Sequence, residues 1–194
     1  MKKNVLMLLM LISLTSYSQK YDAKKISSNS DTSIENLDKS EIYSLDKEEF
    51  LKLVSQSKKK YNLIVSFATW CGPCRKSLPT LIKFAEENKD KLNLYIINIE
   101  KDKSKNLLET KEFFLEIKYS SPTFMVSEKY GKDRRSKYKR FIKDLIGEKD
   151  FSDIYLGMFE NILFDGDSNI IFKSNDSDDD AETLERINKI INPK

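Results

Sequence analysis

The sequence contains no histidine and only two cysteines, Cys71 and Cys74, among its 194 residues. A zinc site needs about four ligands, usually cysteine or histidine, and no further residue of either type remains after this pair. A c-type haem needs histidine directly after Cys-x-x-Cys, and position 75 is arginine. The sequence therefore predicts no metal site, and we expect no cofactor.

The two cysteines are separated only by Gly72 and Pro73. A purely structural disulfide between them is a poor interpretation, because closing so short a loop removes little entropy from the unfolded chain. A redox-active pair is the interpretation that remains. The sequence offers no other cysteine for a structural disulfide, which indicates that the pair is present for its chemistry.

Long hydrophobic runs are also absent. The apolar stretch from Val5 to Leu14 covers about half of the roughly 20 residues that a membrane-spanning helix needs. Two lysines precede it, and Ser16 and Ser18 supply small residues before Gln19, as in a secretory signal with its cleavage site. We therefore predict that residues 1–18 are a cleaved signal peptide, that the protein is exported to the periplasm, and that no membrane span remains after cleavage.

The sequence has no large excess of charge of one sign. It contains 34 basic and 31 acidic residues, and the net charge of +3 is too small to favour nucleic acid as a partner. Residues 19–40 are polar, rich in serine and lysine, and without hydrophobic periodicity, which predicts a flexible linker. We expect one folded domain over residues 41–194.

Hydrophobic periodicity in this domain alternates between strand and helix. The apolar run Leu63–Ala68 is typical of a strand buried on both faces of a parallel sheet, and Leu92–Ile99 predicts a second strand. Between them, apolar residues at helical spacing, such as Leu78 and Leu81, predict an amphipathic helix. This βαβ unit predicts an α/β domain whose central sheet is flanked by helices. The cysteine pair then lies at the carboxyl end of a central strand.

The remaining pattern is less regular. Ser121-Pro122-Thr123 opens a further predicted strand, and residues 128–158 contain a basic cluster with helical apolar spacing. A solvated helix face and a docking surface remain alternatives for that cluster. The turn Asp165–Ser168 between two apolar runs predicts a hairpin, and an acidic stretch before a final apolar period predicts a last helix.

The spacing of the cysteines predicts their roles in thiol–disulfide exchange. Both sulfurs lie at the first turn of a helix, where free amides and the positive helix end lower the pKa of a thiol. Cys71, nearer the helix tip, is predicted to be the exposed nucleophile, and Cys74 the buried resolving thiol. Pro73 costs little at this position, and Trp70 would shield one side of the sulfurs.

The segment Phe67–Arg75, with the sequence FATWCGPCR, resembles the active-site signature of the thioredoxin superfamily. Its Ala-Thr-Trp prefix is most similar to the exported branch related to TlpA and ResA. The resemblance implies the thioredoxin fold, with a central mixed β-sheet flanked by helices, and a protein-disulfide oxidoreductase activity. Pro79 matches the proline that kinks the helix in that family.

The resemblance also implies residues that contact the bound partner. Ser121-Pro122-Thr123 matches the loop whose proline is cis and faces the disulfide, and in the family the residue before that proline offers backbone hydrogen bonds. The substrate-binding residues implied here are Trp70, Gly72, Pro73, Ser121 and Pro122. An insertion over 128–158 follows the cis-proline strand.

One departure from the family concerns proton transfer. Thioredoxins carry a buried aspartate and a lysine near the second cysteine, and the matching positions here are Val65 and Ile96. The proton acceptor for Cys74 therefore remains open, with water and a carboxylate such as Glu100 as alternatives.

Three functions are compatible with the pair. The Gly-Pro dipeptide between the cysteines accompanies reducing members of the family, which favours a reductant of disulfides in exported proteins, supplied with electrons by an unidentified membrane donor. A disulfide oxidase or isomerase is the second hypothesis. A Cu(I)-binding chaperone or a non-catalytic binding module is the third, since thiolates suit Cu(I), although the absence of histidine and of further cysteines argues against it.

Overall fold

The computed structural model describes residues 22–26, 33–100, 104–147, 160–174 and 179–193. These residues form a seven-stranded sheet with the spatial order β1-β2-β5-β4-β3-β6-β7. Its strands are β1 (Lys24–Lys25), β2 (Ile42–Leu45), β3 (Tyr61–Phe67), β4 (Leu92–Asn98), β5 (Thr123–Val126), β6 (Asn161–Asp165) and β7 (Ile170–Lys173). The helices are α1 (Lys47–Gln56), α2 (Gly72–Glu87), α3 (Ser104–Glu116), α4 (Arg134–Ile146) and α5 (Asp180–Ile191).

The centre of the sheet is the predicted βαβ unit. Strands β3 and β4 run parallel over their whole length, from Tyr61 opposite Leu92 to Phe67 opposite Asn98, and every residue of both strands is buried. Such burial on both faces explains the nearly continuous apolar sequence of the two strands. The prediction of an α/β fold with a mixed central sheet is confirmed, since β6 and β7 are antiparallel additions to the parallel strands.

Helices cover both faces of the sheet. On one face Phe50 of α1 packs edge-on against Tyr95 and Phe164, with ring centroids 5.2 and 5.4 Å apart. On the other face Phe67 stacks against Phe113 of α3 at 5.1 Å. Side chains alternate between faces along a strand. Phe67 comes three residues after Ile64, which pairs with Tyr95, so Phe67 and Tyr95 point to opposite faces of the sheet. Both faces therefore carry an aromatic core.

Two parts of the predicted linker 19–40 belong to the folded domain. Strand β1 pairs in parallel with β2, with Lys24 opposite Tyr43. A 3₁₀ turn covers Ile34–Asn36, and the Ile34 side chain packs into the core. Backbone pairing and one apolar side chain order these residues, and neither leaves a hydrophobic period in the sequence. The predicted signal peptide lies outside the described residues.

The Ser121–Pro122 peptide bond is not cis, so that expectation is wrong. Strand β5, which follows this proline, is parallel to both of its neighbours, β2 and β4, and Thr123 lies opposite Ile96. A strand that is parallel to its neighbours starts near their amino ends, at the opposite end of the sheet from their carboxyl ends. Pro122 therefore lies level with the middle of β4 rather than beyond its carboxyl end. The strand that starts at that end beside β3 is the antiparallel β6, with Asn161 opposite Val65.

The described part of the predicted insertion, residues 128–147, packs on the domain. Tyr130 is buried with its ring 5.6 Å from that of Phe141 in α4, and its hydroxyl donates to Asp144 Oδ2 at 2.5 Å. Lys47 N–H at the start of α1 donates to the same hydroxyl at 3.3 Å. Residues 148–158 of the insertion lie outside the described residues. Within the described ranges, no helix has the length and hydrophobicity needed to cross a membrane.

Candidate active site

The cysteine pair lies where β3 passes into α2. Cys71 and Cys74 form a disulfide with their Cα atoms 5.2 Å apart. Cys71 is the N-cap of α2, and its sulfur accepts a hydrogen bond from the backbone N–H of Cys74 at 3.2 Å. Both sulfurs therefore lie at the positive end of a helix of 16 residues, an environment that favours a thiolate after reduction.

The two sulfurs differ in access to solvent. Cys71 keeps 6% of its surface exposed and Cys74 none. Cys71 is thus the more accessible cysteine. In the disulfide it is nevertheless almost fully buried, whereas the sequence predicts an exposed nucleophile. The residues around it are open, because Gly72 and Pro73 are exposed and Trp70 retains 49% of its surface. These three exposed residues are the chain neighbours of Cys71 on both of its sides.

A buried carboxylate holds the loop that leads to the cysteines. Glu100, only 2% exposed, accepts hydrogen bonds at Oε1 from the backbone N–H of Thr69 at 3.0 Å and from its hydroxyl at 2.7 Å. The backbone N–H of Glu100 donates to Asn98 Oδ1 at 2.8 Å, and Asn98 Nδ2 donates to Thr110 Oγ1 at 2.6 Å. This network joins the end of β4, helix α3 and the residue before Trp70. The sequence contains no local signal for this network.

A cleft of about 470 Å³ opens beside Trp70. Arg75 lines it, with its guanidinium 4.7 Å from the centre of the Phe113 ring and 3.7 Å from Glu116 Oε2. Glu100 lies at its base, and the other residues of its wall are Thr69, Asn106, Glu109 and Glu112. The cleft therefore combines an aromatic surface with an excess of acidic side chains.

The polar side chains beneath α2 do not lie at the two positions where thioredoxins carry the buried aspartate and the lysine. Val65 and Ile96 are fully buried and lie opposite each other in the register of β3 and β4, so this position is apolar. On the other side of Val65 lies Asn161. Asn161 shares a small cavity with Ser77 of α2 and Asp180 of α5. No local sequence pattern connects these three residues, since they come from distant segments of the chain.

The structure does not bring all of the predicted site residues together. Trp70, Gly72 and Pro73 surround the disulfide, but Ser121 and Pro122 precede β5. Strand β4 lies between β5 and β3, so two strand spacings, about 10 Å, separate β5 from β3 across the sheet. Pro122 also lies further back along the strand direction than Cys71. Ser121 and Pro122 line a different cleft, together with Ile82 and Glu86 of α2.

Comparisons with known proteins agree with this site. The Thioredoxin family model matches residues 41–145, a range that contains the cysteine pair. A thioredoxin from Alicyclobacillus acidocaldarius subsp. acidocaldarius is 40% identical over 40 residues, which cover 21% of this chain and only 38% of that thioredoxin.

Solved structures show a similar fold. One is a thiol:disulfide interchange protein of the thioredoxin family from Chlorobium tepidum TLS, with a TM-score of 0.50 and 18% identity over 68% of this chain and 79% of that chain. Another is a thioredoxin-like protein in the oxidised form, with a TM-score of 0.50 and 18% identity over 76% of this chain and 84% of that chain. The family match covers more than half of the sequence, and the chain therefore belongs to the thioredoxin family.

Proposed function

We propose that this protein is an exported thiol–disulfide oxidoreductase that reduces disulfides in extracytoplasmic proteins. The observation that carries the proposal is the Cys71–Cys74 disulfide at the start of α2, in which Cys71 keeps a small exposed surface beside exposed residues and Cys74 keeps none. Exchange with a protein disulfide requires one reachable thiolate and a second thiol close enough to resolve the mixed disulfide. This arrangement supplies both.

In the reduced protein, the Cys71 thiolate attacks one sulfur of the substrate disulfide. A bond forms between Cys71 Sγ and that sulfur, the substrate disulfide breaks, and the other substrate sulfur leaves as a thiolate that takes a proton from solvent. Cys74 then loses its proton and attacks Cys71 Sγ. The Cys71–Cys74 disulfide forms, the second substrate sulfur leaves, and two electrons have passed from the cysteine pair to the substrate.

The exposed residues Trp70, Gly72 and Pro73 form the surface that receives the substrate. Their exposure next to Cys71 supports this role, and the acidic cleft adjoins it on the Trp70 side. Ser121 and Pro122 are not included, because β5 starts away from the disulfide.

The sequence supports export and an external source of electrons. The proposed signal peptide over residues 1–18 supports a periplasmic location, where the disulfide must be reduced again after each cycle. We therefore infer a membrane electron donor that contacts the same cysteine pair. The Gly-Pro dipeptide between the cysteines supports the reducing direction.

The test is the reduction potential of the pair together with an insulin-reduction assay. We expect a potential near the reducing end of the scale, about −270 mV, and catalysed insulin reduction by the wild type. Absence of catalysis would overturn the proposed activity, and unchanged catalysis in Cys71→Ser would overturn the role of Cys71. A potential near about −120 mV with rapid oxidation of a reduced test protein would instead indicate an oxidase.

A further inference from the structure

The buried thiol of Cys74 must lose its proton before it can attack the mixed disulfide. A thiolate is the nucleophile in this exchange, and burial disfavours the charged form. Cys74 has no exposed surface, and the pair Val65 and Ile96 on the strands beneath α2 is apolar. These two strand residues therefore offer no acceptor for the proton.

Ser77 is a polar residue placed one turn beyond Cys74 on the buried face of α2. Residues three apart on a helix have Cβ atoms about 5–6 Å from each other. The hydroxyl of Ser77 donates a hydrogen bond to Oδ2 of Asp180, 103 residues later in the chain. Asp180 is the first residue of α5 and is exposed. This bond therefore links the buried face of α2 to the solvent.

Asn161 adds a second, independent observation. It is 4% exposed, and its Oδ1 atom has no hydrogen-bond partner among the described residues. It lines a cavity of about 10 Å³ together with Ser77 and Asp180. The rest of the cavity wall is formed by Leu81, Thr183 and Leu184. Such a volume holds one water molecule, and buried polar atoms without a protein partner are where buried waters bind. A water here would donate to Asn161 and lie beside Ser77.

We propose that Ser77 and Asp180, with one water molecule held against Asn161, pass the proton of Cys74 to solvent. The proposal rests on the proposed function. The Cys74 proton moves to this water, and the water passes a proton to the Ser77 oxygen. Ser77 passes its hydroxyl proton to the Asp180 carboxylate, and Asp180 releases it to solvent. The Cys74 thiolate then forms the bond to Cys71 Sγ, and the substrate sulfur leaves as described above.

The experiment separates the attack by Cys71 from the resolution by Cys74. Reduced protein is mixed in a stopped-flow instrument with dithiobis(nitrobenzoate), which releases one coloured thiolate when Cys71 attacks and a second when Cys74 resolves the mixed disulfide. Rates of both phases are measured against pH for the wild type, Ser77→Ala and Asp180→Asn. We expect the second phase to slow about tenfold and its pH profile to move to higher pH, with the first phase unchanged.

Two further variants act as controls. Ser77→Thr keeps the hydroxyl and should keep the second phase near the wild-type rate. Glu182→Gln removes a negative charge from the same first turn of α5 and should leave both phases unchanged. Asp180 is exposed, so Asp180→Asn remains a usable variant if Ser77→Ala does not fold.

The outcomes distinguish this proposal from the proposed function. Equal second-phase rates and pH profiles in the wild type, Ser77→Ala and Asp180→Asn would overturn the proton path while leaving the redox function intact. A wild type that shows neither phase would overturn the redox function itself. A second phase slowed equally by Glu182→Gln would assign the effect to the helix charge and would overturn the path through Asp180.

Discussion

Two buried polar clusters lie at opposite ends of the same strand pair, β3 and β4. The carboxyl-end cluster consists of Thr69, Asn98, Glu100 and Thr110. It contains a carboxylate, connects to the loop before Trp70 and opens into the acidic cleft. Its hydrogen bonds therefore hold the residue before Trp70 against the end of β4.

The amino-end cluster consists of Ser57, Asn62, Asn93 and Tyr95. Asn93 Nδ2 donates to Ser57 Oγ at 2.5 Å and to Asn62 Oδ1 at 3.1 Å, and the Tyr95 hydroxyl donates to Asn62 Oδ1 at 3.3 Å. Burial raises the pKa of Tyr95, which keeps its hydroxyl uncharged. This cluster fastens the C-cap of α1 to the sheet. The same two strands thus carry a cluster of amide and hydroxyl groups at one end. At the other end, which bears the disulfide, they carry a hydrogen-bond network that includes a carboxyl group and borders the cleft.

The largest effect that we expect comes from the chemistry at the carboxyl end. In Cys74→Ser, Cys71 can still attack a substrate disulfide, but the mixed disulfide cannot be resolved. Turnover should fall by about 10³-fold or more while a stable adduct accumulates. Mass spectrometry after mixing reduced protein with cystamine measures the adduct, and Cys71→Ser is the control that should form none. Wild-type turnover in Cys74→Ser would contradict the two-cysteine mechanism.

The residues at this end of the sheet can be predicted from the sequence only where they lie close together in the chain. Phe67–Arg75 is one continuous segment in which a buried strand passes into a helix, so local patterns suffice to place both cysteines and Trp70. Local patterns do not place Ser121-Pro122, because the direction and neighbours of β5 depend on pairing with strands far away in the chain. Asn161 and Asp180 reach α2 only through the return of β6 and α5.

The next effect tests whether the carboxyl-end cluster positions the active-site loop. Glu100→Ala removes the acceptor of both Thr69 hydrogen bonds, so the free energy of unfolding should fall by about 1–3 kcal/mol. The activity of the folded protein should fall about tenfold, since the loop before Trp70 loses its anchor. Insulin reduction and urea unfolding measure the two quantities.

Glu100→Gln is the matched control for that variant. Its amide oxygen can still accept from Thr69, so both stability and activity should lie close to the wild type. Equal losses in Glu100→Gln and Glu100→Ala would show that the negative charge of Glu100, rather than the anchoring of Thr69, matters at this end.

A smaller and purely structural effect is expected at the amino end. Asn93→Ala removes the donor to Ser57 and Asn62 and leaves buried acceptors with fewer partners. The free energy of unfolding should fall by about 1–3 kcal/mol, while insulin reduction per folded molecule stays unchanged. A loss of activity like that of Glu100→Ala would mean that the two ends of the strand pair are not independent.

The smallest effect concerns pH and uses an ion pair outside both clusters. Glu48 lies in the first turn of α1 and binds Lys129 Nζ at 2.5 Å, and this hydrogen bond lowers the pKa of Glu48 to about 2 from an ordinary value of 4.5. Since the pKa is lower in the folded state, the contact stabilises the fold above pH 4.5, and this contribution is lost as the pH falls from 4.5 towards 2. The Glu48 side chain is 70% exposed, so the contribution should stay below about 1 kcal/mol.

Urea unfolding at about pH 6 and about pH 3 compares Glu48→Gln with Asn93→Ala. Glu48→Gln should reduce the acid-induced loss of stability by a fraction of a kcal/mol. Asn93→Ala should lower the free energy of unfolding equally at both values, because the amides and hydroxyls of the amino-end cluster do not titrate in acid. An acid-dependent difference in Asn93→Ala would contradict the view that the amino-end cluster is uncharged.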